Sequence, residues 1–174
     1  NKATLKGTKM MIKRTAVVAG SFDPITIGHE ELIKRTSSLF DKVIVAICVN
    51  SEKKYMFDVS QRYEMISDAF SDDSKIVPVI HEGLVADLAL KNNAVIVKGL
   101  RFSSDFDYEH IQSESNYMIN GVETIFLPSR SNEMFITSSL IRELIKADKK
   151  FDSFVSEKVS EKIKKIISEK KDNE

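Results

Sequence analysis

The chain has 174 residues, enough for one domain built around a single buried core. Its 26 basic and 26 acidic side chains cancel, so no global field draws it to nucleic acid or to an anionic membrane, and any anion site must be local. The single cysteine, Cys48, cannot close an intrachain disulfide, and no stretch reaches the roughly 18 uninterrupted apolar residues of a membrane span or shows a signal-peptide pattern. A reducing cytoplasm is the expected compartment.

Residues 1–10 carry no apolar period and precede Met11; they read as an expression remnant or a mobile extension, outside the fold. The single domain is expected over 11–170, with a frayed tail at 171–174 closing the charged run SEKKDNE. Short β-branched runs then recur at TAVVAG (15–20), VIVAICV (43–49), KIVPVI (75–80), AVIVKG (94–99) and ETIFLP (123–128). Continuous apolar runs of this length predict strands buried on both faces. Pro78, which has no N–H to give to a ladder, predicts that the third strand lies at a sheet edge.

Between the runs, apolar residues recur at helical spacing. Leu32, Ile33, Thr36, Leu39 and Phe40 mark one helix; Tyr63, Ile66 and Phe70 mark the next, capped by Asp58 or Ser60; Leu84, Leu88 and Lys91 give a weaker third. Leu140, Ile141, Leu144 and Ile145, then Val159, Ile163, Ile166 and Ile167, predict two C-terminal helices. Strand and helix in alternation predict a Rossmann-like, doubly wound α/β fold with a five-stranded parallel sheet and right-handed crossovers.

In such a sheet, ligands sit beyond the carboxyl ends of the strands, where the strand order reverses. GSFDPITIGH (20–29) follows the first strand. Gly20 is expected to turn the chain sharply off the strand, Pro24 to fix the loop, and Thr26 to cap a helix whose first turn holds Gly28 and His29. Alone, this stretch reads more readily as a tight connection whose histidine merely packs. The other strand ends add to it: Lys53 and Lys54 after the second strand, Lys98 and Arg101 flanking Gly99 after the fourth, and Thr137, Ser138 and Ser139 at a helix start after the fifth. Cations, hydroxyls and helix N-termini converging on one edge suit a polyphosphate.

These four motifs, GSFDPITIGH, KK, KGLRFSSDFDYE (98–109) and FITSSLIRE (135–143), in this order and spacing, resemble those of bacterial phosphopantetheine adenylyltransferases, nucleotidylyltransferases of coenzyme A biosynthesis. The likeness runs from about Ile12 to Val159. It implies the reaction of ATP with 4′-phosphopantetheine to give dephospho-coenzyme A and pyrophosphate, with Mg2+, in a homohexamer subject to feedback by coenzyme A. It implies catalytic roles for His29, Lys53 and Arg101. ATP would meet Ser21, Phe22, His29, Gly99, Leu100, Arg101, Glu109 and the run Glu133, Met134, Phe135, Ile136, Thr137, Ser138, Ser139. The phosphopantetheine would meet Ser21, Lys53, Leu84, Val85, Lys98 and Asn116. The chain departs from the common pattern with Ser21 for threonine, Ala19 for proline, Ile27 for asparagine, Lys98 for the first arginine of Arg-Gly-Leu-Arg, and Glu133 for an aromatic residue.

The chemistry is consistent with the residues present. A phosphate monoester with its second pKa near ~6 is already a dianionic nucleophile at neutral pH. It needs alignment and charge stabilisation, not a general base or a covalent enzyme intermediate. His81 and His110 need no catalytic part. The rivals are a related nucleotidylyltransferase with another acceptor and a nucleotide-binding regulatory module without turnover.

Overall fold

The computed structural model describes residues 14–130 and 134–171. Five strands, β1 (Thr15–Gly20), β2 (Lys42–Val49), β3 (Ile76–Glu82), β4 (Ala94–Leu100) and β5 (Thr124–Pro128), alternate with helices α1 (Ile27–Leu39), α2 (Val59–Ala69), α3 (Val85–Lys91) and α4 (Ser103–Asn120). Helix α5 (Ser138–Lys146), a 3-10 turn at Asp152–Phe154 and α6 (Glu157–Lys171) follow. Every strand pairing is parallel, in the order β3-β2-β1-β4-β5. The doubly wound sheet is therefore the predicted one.

The alternation of side chains along the central strands divides the interior in two. Ala16, Val18, Val43, Val45 and Ile47 face Ile33, Met65, Ile66, Ile141 and Ile163 of α1, α2, α5 and α6. Val17, Ile44, Ala46 and Ile96 face Ala89, Val85 and Leu88 of α3. Helix α4 lies beside α3, where Asn120 Nδ2 donates to Asp87 Oδ1 at 2.6 Å. Pro78 stands in β3, which is an edge strand, opposite Val45. Burial on both faces holds for β1 and the middle of β2, whereas β3 and β5 are only half-covered.

The structure corrects several expectations. Gly20 does not make the turn: it stays in β1, and the left-handed residue is Phe22, with φ 49°. Glycine is needed at 20 for space, since a Cβ there would lie 3.1 Å from the Phe22 ring. Lys98 and Gly99 belong to β4, as the run 94–99 predicts, and the ladder to β5 runs one residue further, to Leu100, so that only Arg101 lies in the loop beyond. Of the two proposed caps for α2, Asp58 is the one used, accepting from Gln61 N. Helix α4 is not among the helices that the sequence reading marked. Helix α6 continues to Lys171, so it takes in the first residues of the charged tail. Residues 1–10, Glu133 and 172–174 lie outside the described residues.

Candidate active site

Sheet order reverses between β1 and β4, whose chains leave in opposite directions and open a crevice at their carboxyl ends. A cavity of about 600 Å3 fills it, lined by Val18 to Gly20 of β1, Val97 to Gly99 of β4, Phe22, Thr26, Gly28, His29, Arg101, Glu109, Ser129 and Ile136 to Ser139. Two helices begin here. Thr26 caps α1 by accepting from His29 N at 3.3 Å, and Thr137 caps α5 by accepting from Leu140 N at 3.1 Å. Both caps line the cavity, which therefore faces two helix N-termini with their positive dipole ends.

His29 completes the α1 cap from the other side. In a capping box the third helical residue reaches back to the cap's own N–H, a task usually given to Glu or Gln. Here Thr26 N donates to His29 Nδ1 at 3.1 Å. Burial, and secondarily the charge of Arg101, lower the His29 pKa to about 4. With Nδ1 an acceptor and the ring neutral at pH 7, the imidazole proton is on Nε2, a donor at the cavity wall. The Phe22 ring packs edge-on against the imidazole at 5.2 Å.

The cavity's cations come from β4 and its exit. Lys98 Nζ is 3.1 Å from Glu109 Oε2, an ion pair joining β4 to the first turns of α4. Arg101 Nε is 3.5 Å from Asp105 Oδ2, which also accepts from Arg101 N and Phe102 N. Gly99 allows close approach: a Cβ would lie 3.2 Å from Leu32 Cδ2. Burial pushes the Cys48 thiol up, so this cysteine is protonated at neutral pH and is no nucleophile.

The strand-one loop is clamped by residues that the sequence reading did not single out. Asp23, 4 % exposed, accepts from Met56 N and Phe57 N, both at 2.9 Å. Arg142 of α5 donates to Asp23 O at 2.6 Å, and Ser138 Oγ donates to Pro24 O at 2.8 Å. Arg62 Nη1 donates to Ser21 O at 2.7 Å. The partners are 33 to 119 positions apart, so no local pattern announces them.

Profile comparison assigns residues 17–144 to the cytidylyltransferase-like family. The chain is 41 % identical over 147 residues to a phosphopantetheine adenylyltransferase of Flavobacterium johnsoniae, covering 84 % of this chain and 97 % of that one. It is 41 % identical over 167 residues to the protein of that name in Borrelia hermsii, covering 90 % and 98 % respectively. The protein of that name in Pseudarthrobacter chlorophenolicus is 45 % identical over 133 residues, covering 75 % and 80 %. The chain belongs to the phosphopantetheine adenylyltransferase family. It is a nucleotidyltransferase.

Of the residues that the family likeness singled out, the cavity brings together Phe22, His29, Lys98, Gly99, Arg101, Glu109, Ile136, Thr137, Ser138 and Ser139. Ser21, Leu100, Met134 and Phe135 flank it in sequence, and Phe135 meets the Phe102 ring at 5.7 Å. Lys53 stands apart on the exposed loop after β2, its N–H bonded to Asn50 O at 3.0 Å. Leu84, the cap of α3 and 55 % exposed, Val85, and Asn116 on α4 belong to the α3–α4 side of the sheet. Among the described residues, no three His, Cys, Asp or Glu side chains gather to hold a metal. Among the described residues, the carboxylate that lines the cavity is that of Glu109, and it faces Lys98. Among the described residues, no helix is long and apolar enough to cross a membrane.

Proposed function

We propose that this chain transfers the adenylyl group of ATP to 4′-phosphopantetheine, forming dephospho-coenzyme A and releasing pyrophosphate in the cytoplasm. The observation that carries the reading is a cavity at the sheet's switch point into which a neutral imidazole, two cations and two helix N-termini converge, in a chain with 41 % identity to a phosphopantetheine adenylyltransferase across nearly its whole length.

In this reading, a phosphate oxygen of phosphopantetheine attacks the α-phosphorus of ATP in line. The new P–O bond forms as the bond to the β-phosphate's bridging oxygen breaks, and pyrophosphate leaves with that electron pair. No enzyme group is covalently modified. His29 Nε2–H donates to an α-phosphate oxygen as it gains charge. The α1 and α5 N-termini and Ser138 and Ser139 receive the triphosphate, and Arg101 offsets charge on the departing pyrophosphate. Lys98 and Lys53 hold the attacking phosphate, and Lys98 must exchange its Glu109 partner for it. Leu84, Val85 and Asn116 would border the pantetheine arm. Magnesium would arrive with the triphosphate, as hard cations held mainly by phosphate oxygens and water do. Coenzyme A, which carries both halves of the product, is the expected feedback ligand, and the exposed apolar face of α4 suits assembly into a homohexamer.

Pyrophosphate release from ATP, measured with phosphopantetheine and with nicotinate mononucleotide as acceptor, tests the assignment. Turnover with phosphopantetheine alone is expected. Turnover with the mononucleotide alone indicates a different acceptor, and nucleotide binding without turnover indicates a regulatory module. His29→Ala should lower kcat by ~10²- to 10³-fold, the usual loss of one donor to a developing oxyanion, with little change in ATP affinity. A loss of only a few-fold would make His29 a packing residue.

A further inference from the structure

Arg62 is the largest fully buried side chain, 1 % exposed on α2, a cost that an interior position does not require. Its Nη1 donates to Ser21 O at 2.7 Å and to Cys48 O at 3.2 Å, so one group ties the exit of β1 to the exit of β2. The guanidinium carbon lies 4.0 Å from the centre of the Tyr55 ring. Tyr55 in turn closes the loop that carries Lys53: its Oη accepts from Asn50 N at 3.0 Å. Asn50 is the hub of that loop, its carbonyl accepting from Lys53 N at 3.0 Å and its Oδ1 from Glu52 N at 2.8 Å. An unbroken series of contacts therefore runs from the Ser21 carbonyl through Arg62, Tyr55 and Asn50 to Lys53.

We infer that Arg62 and Tyr55 are positioning residues that set the Lys53 loop in register with the strand-one loop, so that Lys53 meets the attacking phosphate. This rests on the function proposed above. Beyond the turn that Asn50 closes on Glu52 and Lys53, the loop buries no side chain of its own: Ser51, Glu52, Lys53 and Lys54 are all exposed. The Asp23 carboxylate fixes Met56 and Phe57, past the end of the loop, and leaves residues 50–54 to the Tyr55 clasp. A planar guanidinium serves here because it can donate in its plane to two carbonyls while offering its face to a ring, which an ammonium cannot do.

The test compares Tyr55→Leu, Tyr55→Phe and Arg62→Lys in the wild-type and Lys53→Ala backgrounds, with kcat, both KM values and the thermal midpoint as readouts. Tyr55→Leu should lower kcat and raise the phosphopantetheine KM, by ~10-fold each, as small misplacements of a reacting group do, while the ATP KM stays within about two-fold. Tyr55→Phe, which keeps the stack and loses the clasp, should fall between. In the Lys53→Ala background, Tyr55→Leu should add no more than about two-fold, the scatter expected of a pair with nothing further to lose. Arg62→Lys should resemble Tyr55→Leu if it folds, and the half-buried Tyr55 variants keep the test open if it does not. Losses of equal size in both backgrounds, or equal increases in the two KM values alongside a lower thermal midpoint, overturn the inference. If Lys53→Ala is silent while the wild type makes dephospho-coenzyme A, this inference falls alone. If the wild type makes none, the proposed function falls with it.

Discussion

His29 serves two purposes with its two ring nitrogens. Nδ1 is committed to the α1 cap, and that commitment holds Nε2–H toward the cavity. Burial of the ring in the cavity wall, and secondarily the charge of Arg101, oppose its protonation. Its titration midpoint, followed by NMR of the imidazole carbons, should lie near about 4 and not near the ordinary 6.5. The sign for stability follows. Between those values the unfolded chain binds the proton and the folded one does not, so the His29 contribution is present above pH 6.5 and is lost as pH falls toward 4. A midpoint above 6 would mean that the folded chain does not desolvate the ring. Lys98 gives a second prediction at this scale. As a point charge it serves either Glu109 or a phosphate, whereas arginine can divide its prongs between them. Lys98→Arg should leave the phosphopantetheine KM unchanged or lower it, and Lys98→Met should raise it with little effect on the ATP KM. Equal changes for both substrates would remove Lys98 from the phosphate site.

At the scale of elements, the strand-one loop is held by side chains from α2 and α5 more than by its own residues. Asp23→Ala would leave the Met56 and Phe57 amides without their acceptor and Arg142 without its ion-pair partner. Bonds to a charged acceptor contribute about 1.5–3 kcal/mol each, so urea denaturation should show a loss of about 3 kcal/mol or more; a loss under about 1 kcal/mol would mean that the loop holds its shape without the clamp. This web also marks the limit of what the sequence discloses. Thr26 was legible as a cap, Asp58 as one of two candidates and Thr137 as part of a helix start, because a cap bonds within three residues. Pro78 was legible as an edge because a missing N–H has one tolerable place. Asp23, Arg62 and Arg142 were not, because their partners become neighbours only once the sheet is wound. Gly20 was misread for a related reason: its constraint is a ring two residues on, not its own backbone. Helix α4 was hidden because it buries no residue, so the core imposed no period on it. That the motifs meet at one edge of the sheet was legible through their order, but the Lys98–Glu109 pairing was not, since it joins a strand to a helix that the sequence reading did not mark.

At the scale of the whole molecule, α4 is the anomaly. It has 18 residues, none of them buried. Tyr108, Ile111, Met118 and Ile119 are 64 %, 66 %, 84 % and 59 % exposed, and their spacing places them on one stripe of the helix. The opposite side is occupied: Phe106 meets Phe126 of β5 at 5.8 Å. A helix anchored by one side with an apolar stripe outward has the pattern of a subunit interface, since single chains rarely leave so much contiguous apolar surface in water. The outer edge of β5 adds Ile125, 39 % exposed. Covering the stripe with a second copy fits a chain of zero net charge, which has no global repulsion to overcome. On the homohexamer proposed above, sedimentation equilibrium should give a mass near six times the 19.7 kDa of one chain. The double substitution Ile111→Glu with Met118→Glu should shift it toward the single-chain mass by placing carboxylates where apolar contact is needed. Because both side chains point away from the core, the far-ultraviolet circular dichroism of the variant should be unchanged. A wild-type chain that sediments at 19.7 kDa, or a double variant that assembles as the wild type does, would show that the stripe is not the interface.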